Sequence, residues 1–201
     1  MPDVPTAATA APRLLLGWSG GKDSALTLHA LRTAAAVDPS APRVEGLLTT
    51  VTAPYERISV HGVRTALLAA QAAAVGLPVR TARIPAPCTN AEYERVMRAP
   101  LDAWRAEGGD GVAFGDLFLA DVRAYRERQL AATGLTPHFP LWGRDTAALA
   151  REFVRLGFRA TLVTVDPRRL DPAFAGRAYD DALLDALPPD VDPCGEHGEF
   201  H

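Results

Sequence analysis

The segment Ser19-Gly20-Gly21-Lys22-Asp23-Ser24 places two hydroxyls, two glycines, an ammonium and a carboxylate in one short stretch. The apolar run Leu14-Leu15-Leu16 precedes it, and Ala25, Leu28 and Leu31 follow at helical spacing. A strand, a glycine-rich loop and a helix in that order build a phosphate site. The first N–H groups of a helix lack partners and carry partial positive charge, so an anion settles there. Gly20 and Gly21 let the backbone approach closely and tolerate positive φ. Ser19 and Ser24 add hydroxyl donors, and Lys22 adds a point charge. Asp23 is no direct phosphate ligand, but it can hold Mg2+. The spacing is not that of a Walker A loop, which has Ser or Thr after its lysine and a longer gap between glycines. Nor do Gly17, Gly20 and Gly21 fit a dinucleotide fingerprint. A glycine-rich turn without a ligand is the bland alternative.

Further polar groups lie later in the chain. Asp116 follows Gly115 at the end of a short apolar run, where it can bind Mg2+, orient an amine, or simply stabilise a turn. Arg123 and Glu127 are four residues apart and share a helix face, either as substrate contacts or as a surface pair worth a few tenths of a kcal/mol. In Cys194-Gly195-Glu196-His197-Gly198-Glu199, a tight turn at Gly198 would aim Glu196 and Glu199 at one cavity. Two such carboxylates suit a cationic or amine substrate, or general-base work on ammonia; a solvated acidic tail is the other reading. Cys194, His197 and His201 have a spacing reminiscent of zinc ligands, yet a closed structural site wants four. Trp142 stacks on a substrate or packs in the core. Cys88 reads as a small buried thiol.

The positioning elements alternate between two periods. Strands are expected over 13–19, 44–51, 79–84, 111–115 and 159–165, and helices over 23–36, 61–75, 91–107, 121–132, 145–156 and 179–187. Tyr93, Val96, Met97, Leu101 and Trp104 share one side of the third helix, which Pro100 should kink or break. Asp145 is placed to cap the fifth. Strand–helix alternation implies a doubly wound parallel sheet with ligands at the carboxyl ends of its strands. The expected organisation is a flexible leader over 1–12, an ATP-binding α/β domain over 13–116, and a C-terminal substrate-binding part over 117–201 packed on the sheet's carboxyl edge.

Composition narrows the classes. The 201 residues carry a formal net charge of −3, which gives no basic face for DNA. No apolar run approaches the ~20 residues of a membrane span. Two cysteines far apart read as free thiols in a reducing cytoplasm.

Ser-Gly-Gly-Lys-Asp-Ser resembles the pyrophosphate loop of the N-type ATP pyrophosphatases. Taken with Gly115-Asp116-Leu117, Arg123, Glu127, Pro140-Leu141-Trp142 and Cys194-Gly195-Glu196-His197-Gly198-Glu199-Phe200, the chain resembles diphthine–ammonia ligase and its bacterial adenine-nucleotide α-hydrolase-like relatives. The likeness runs from about residue 14 to 201. It departs at Leu130, where the family often has Cys, and at Tyr125, where a second Arg is usual.

The resemblance implies a HUP-like sheet and an AMP-forming ligase. ATP and Mg2+ would be held by Ser19, Gly20, Gly21, Lys22, Asp23, Ser24 and Gly115, with Asp23 on the metal. Lys22, Asp23, Asp116, Glu196 and Glu199 would do the chemistry. Arg123, Glu127, Trp142, Gly195, Glu196, Gly198 and Glu199 would meet a carboxylate acceptor, small or on a protein side chain, with ammonia or an amine as nitrogen source. A homodimer fits this reading. The competing classes are a non-catalytic adenine-nucleotide sensor and a tRNA-modifying enzyme.

Overall fold

The computed structural model describes residues 10–59 and 61–201, so most of the expected leader lies outside the described residues. Twelve principal elements follow in order. They are β1 (Arg13–Gly17), α1 (Lys22–Val37), β2 (Arg43–Thr52), β3 (Arg57–Ile58), α2 (Thr65–Val75), β4 (Val79–Ile84), α3 (Asn90–Ala106), β5 (Gly111–Ala113), α4 (Ala120–Ala131), β6 (Thr136–His138), α5 (Thr146–Arg155) and α6 (Asp181–Ala186).

The six strands form one mostly parallel sheet. β1 lies between β2 and β5, and β6 follows β5. β4 pairs parallel with β2 over Leu47–Thr52, and β3 is antiparallel to Val51 and Thr52. The chain runs outward from β1 through β2 to β4, then returns to β5 on the other side of β1. Strand order therefore reverses at β1, and such a reversal opens a crevice at the strands' carboxyl ends.

Helices cover both faces. Leu14 and Leu16 pack with Leu28 and Leu31 of α1 and with Leu68 and Ala72 of α2. Leu15 and Val112 point the other way, onto Met97, Leu101 and Trp104 of α3 and Leu130 of α4. Leu14, Leu15 and Leu16 are all fully buried, and each contributes roughly 1.5–3 kcal/mol by leaving water. A third cluster joins Leu26 of α1 to Leu117, Leu141, Leu149, Phe153, Leu183 and Phe200. Through Leu26, Leu117 and the segment from Leu141 onward are tied to the helix that carries the loop.

Three local expectations are corrected. Residues 159–165 form no strand; Thr161 bridges only to Ala178 and Val165 only to Phe200. Alternating side chains make a strand only where a ladder partner exists, and the partners here are single residues outside the sheet. The outer strand is instead β6, whose Pro137 is tolerable because an edge needs no further donor. The second helix starts at Thr65 rather than residue 61, because Arg57 bridges back to Arg64 and Ile58 N–H donates to Val63 O at 2.7 Å. Pro100 does not interrupt α3, which runs unbroken through it on its buried stripe of Met97, Leu101 and Trp104. Side-chain caps hold three helix starts: Asp145 accepts from Ala148 N, Asp180 accepts from Leu183 N, and Thr89 with Glu92 forms a capping box. Among the described residues, no helix is long and apolar enough to cross a membrane.

Candidate functional site

β1 ends at Gly17, and Trp18 N–H still donates to Leu48 O at 2.8 Å, which carries the chain straight into the loop. Gly20 turns it at φ +79°, a conformation that suits glycine. A side chain there would also meet Gln71, 3.1 Å from the Cβ position. Gln71 braces the turn: its Nε2 donates to Gly20 O at 3.0 Å and its Oε1 accepts from Trp18 Nε1 at 3.0 Å. The two serines organise the loop. Gly21 N–H donates to Ser19 Oγ at 3.2 Å, and Ser24 Oγ donates to Gly21 O at 2.8 Å.

α1 then begins at Lys22 behind Gly21, with no side-chain cap. Its first amides and the positive end of a helix of 16 residues face the crevice. Lys22 Nζ lies 2.8 and 2.7 Å from the two oxygens of Asp23. Their side chains are 11% and 28% exposed, so the pair is partly desolvated. Burial acts to lower the Lys22 pKa, but Asp23, Cys194 and Glu196 outweigh it and the net shift is upward. Lys22 is thus a fixed cation.

Gly115 lies against the first turn of α1. A Cβ there would sit 3.0 Å from the Asp23 carbonyl carbon and 3.1 Å from Thr27 Oγ1. This glycine lets β5 and α1 meet, which fixes where Lys22 and Asp23 stand.

Around the loop opens a cavity of about 1210 Å3. Its lining includes Ile84, Tyr93, Met97 and Phe114 with Asp116 and Arg126, and Phe153, Phe158 and Tyr179 with His61, Cys194, Glu196 and His201. Burial pushes the Cys194 thiol up to about 12, so it is no nucleophile in this state. Two polar atoms at the cavity are buried without a partner among the described residues: Thr49 Oγ1, on a residue only 4% exposed, and Gln129 Nε2.

The remaining expected site residues divide. Asp116 borders the cavity but is engaged by Arg126, whose Nε is 2.7 Å from its Oδ2. Arg126 also lies over Phe114, 4.4 Å from the ring centroid. Arg123 and Glu127 pair at 2.8 Å on the surface of α4, and Arg123 lies over Phe139 and Trp142. None of Arg123, Glu127 and Trp142 borders the cavity. Gly195 and Glu196 do, whereas Gly198 and Glu199 do not. The expectation that one turn aims both carboxylates at one cavity is therefore corrected. Glu199 is 1% exposed; its Oε1 accepts from Asp192 N at 3.3 Å and its Oε2 has no partner among the described residues. The reason is the turn itself. Gly195, at φ +70° with its Cβ position 2.7 Å from Phe200 O, folds the segment onto Phe200 and tucks Glu199 beneath it. Cys194, His197 and His201 face Thr146 O, Phe118 and His61 respectively, so they do not converge.

Arg126, Tyr93, Gln129, Gln71, Thr49 and His61 were missed. Nothing in the sequence separates Arg126 from Arg123 or Arg128; the docking of α4 through Leu130 makes the choice.

Burial raises the Glu196 pKa above the ordinary carboxylate value of 4.5, against the opposing bond from Leu117 N–H at 2.9 Å. The unfolded chain then loses this proton first, so the folded state loses stability as pH rises from about 4.5 through the raised value. Glu196→Gln keeps an acceptor for Leu117 and removes that loss. Thermal melts should give equal stabilities at low pH and a more stable variant toward neutral pH. A gap independent of pH would contradict the assignment.

Neither a scan against protein-family models nor a search of curated proteins matched this chain.

Proposed function

We propose that this protein binds ATP with its polyphosphate on the Ser19–Ser24 loop, and cleaves it to AMP and pyrophosphate while adenylating a carboxylate acceptor. The observation that carries the reading is the uncapped start of α1, with Gly20, Gly21 and Lys22, opening into a large cavity where strand order reverses. Charge develops on the bridging oxygen as the diphosphate departs. Fixed amide dipoles and a buried ammonium stabilise such charge without reorganising. Asp23 is the carboxylate that would hold Mg2+ beside the phosphates; one carboxylate plus phosphate oxygens suits that ion, which supplies further charge neutralisation.

The cavity exceeds the usual 300–1,000 Å3 of a single-ligand pocket, which leaves room for nucleotide and acceptor together. The Tyr93, Met97 and Phe114 side chains suit the flat base. Glu196, also on the cavity, suits acceptor and amine; it can take a proton from ammonia or orient an amine. The resulting protein is an ATP-dependent, C–N bond-forming ligase of the diphthine–ammonia ligase kind. It has an ATP-binding part over 13–116 and a substrate-binding part over 117–201, which lends β6 to the HUP-like sheet and gathers most of its core around Leu26 of α1. Free thiols at Cys88 and Cys194 agree with a cytoplasmic setting.

Phosphorus NMR of reaction mixtures with ATP, Mg2+, ammonium and candidate carboxylates tests the reaction. AMP and pyrophosphate are expected; ADP and phosphate would refute it. A second reading, an adenine-nucleotide sensor without chemistry, draws on Asp116 being occupied by Arg126 and on Glu199 lying outside the cavity. It predicts tight binding and no cleavage with any acceptor.

A further inference from the structure

His61 and His201 reach the cavity from distant parts of the chain. His61 stands in the turn between β3 and α2. His201 stands on the segment that pairs with Thr164, its N–H donating to Thr164 O at 2.8 Å. Their rings meet edge to face with centroids 4.7 Å apart, and both border the cavity that the phosphate loop opens into. Among the described residues, neither ring is hydrogen-bonded to a side chain or backbone group. Two imidazoles with unused ring nitrogens therefore face the space beside Lys22.

We infer that His61 and His201 form a second contact for the polyphosphate, donating from their ring nitrogens to its oxygens opposite Lys22 and the first turn of α1. This rests on the reading of the loop as a polyphosphate site. The electrostatics agree with it. In the ligand-free protein burial, then His201, lowers the His61 pKa to about 4, with Lys22 adding to the effect and Asp23 opposing it. Burial and Lys22 likewise lower His201, against Asp23 and Glu199. Both rings are thus neutral at pH 7, which spares Lys22 two further cations beside it. A polyanion on the loop reverses the sign of the local field and favours the charged rings. The site gains positive charge only when its ligand is present. The sign is fixed: pKa values that rise on binding mean proton uptake, and affinity that increases as pH falls below 7.

Inorganic pyrophosphate without metal is the probe, titrated by calorimetry at several pH values between 6 and 7.5 in buffers of unlike ionisation enthalpy. Titration of pyrophosphate itself is common to all proteins compared, so differences from wild type isolate the histidines. His61→Gln and His201→Gln should each weaken binding at pH 6 by about tenfold, the size of one charge-assisted contact, and the double variant should lose the extra proton uptake. Adenosine affinity should stay unchanged in folded variants, since that ligand has no phosphate. In the unmutated protein, histidine ring-proton resonances should titrate at higher pH once pyrophosphate is bound, a readout that needs no variant. Double-variant binding within twofold of wild type, or histidine titrations unmoved by pyrophosphate, overturns the inference. Failure of the wild type to bind pyrophosphate or ATP would instead take down the loop reading, and this contact with it.

Discussion

Lys22→Met should weaken ATP binding about a hundredfold while leaving the fold intact. Lys22 is the ammonium nearest the uncapped first turn of α1, and its Nζ holds both oxygens of Asp23. Its loss removes a charge-assisted phosphate contact, worth about 1.5–3 kcal/mol. It also leaves the Asp23 carboxylate unneutralised beside an incoming polyanion, which adds repulsion in the same direction. Each 1.4 kcal/mol is tenfold in affinity, so the sum approaches a hundredfold. Methionine keeps the aliphatic stem packed near the Tyr179 ring, over which Lys22 Nζ lies at 6.0 Å. Circular-dichroism melts should show little change. Affinity within threefold of wild type would mean that Lys22 does not touch the phosphates.

Gly115→Ala should damage both stability and binding, although residue 115 needs no contact with ligand to do so. The added methyl would lie 3.0 Å from the Asp23 carbonyl carbon and 3.1 Å from Asp23 O. These are backbone atoms, which cannot swing aside as a side-chain tip can. Relief requires the end of β5 or the first turn of α1 to shift, at a cost of about 1–3 kcal/mol. In a chain of this size that lowers Tm by roughly 2–10 °C. The same shift displaces Lys22 and Asp23, so ATP affinity should fall at least tenfold. Gly143→Ala is the control: unlike Gly115, Gly143 has a positive φ, +74°, and its Cβ position has no neighbour within 4 Å. That variant should lose some stability to backbone strain and keep its affinity. Equal affinities for the two variants would show that the β5–α1 contact does not position the site.

Lys22 is legible in the sequence because a local pattern surrounds it, whereas only the family resemblance singles out Gly115. A buried triplet of leucines, a glycine-rich loop and a helical stripe follow one another without interruption, and local order of that kind survives folding unchanged. Asp145 as a cap is legible for the same reason, since the residue and its acceptor role lie within one turn. Pro100 shows the limit of a local rule. Its missing N–H weakens α3, but Met97, Leu101 and Trp104 bury against the sheet and hold the helix together.

What stayed hidden depends on long-range placement. Residues 159–165 alternate like a strand and have no ladder to join, while the three residues of β6 carry a proline and still pair with β5. Glu196 and Glu199 look equivalent in sequence, yet the turn at Gly195 leaves one at the cavity and buries the other. Arg126 reaches Asp116 because of how α4 docks, and His61 meets His201 across 140 positions of sequence. No spacing rule connects residues that only the folded sheet brings together.

The central claim is that the amides and lysine at the start of α1 hold a polyphosphate. Calorimetric titration of ATP with Mg2+ into the well-folded wild-type protein tests it most directly. The account predicts one saturable site, competed by inorganic pyrophosphate and weakened by Lys22→Met. No heat of binding at any pH or temperature tried, with adenosine and ATP equally inert, would contradict it.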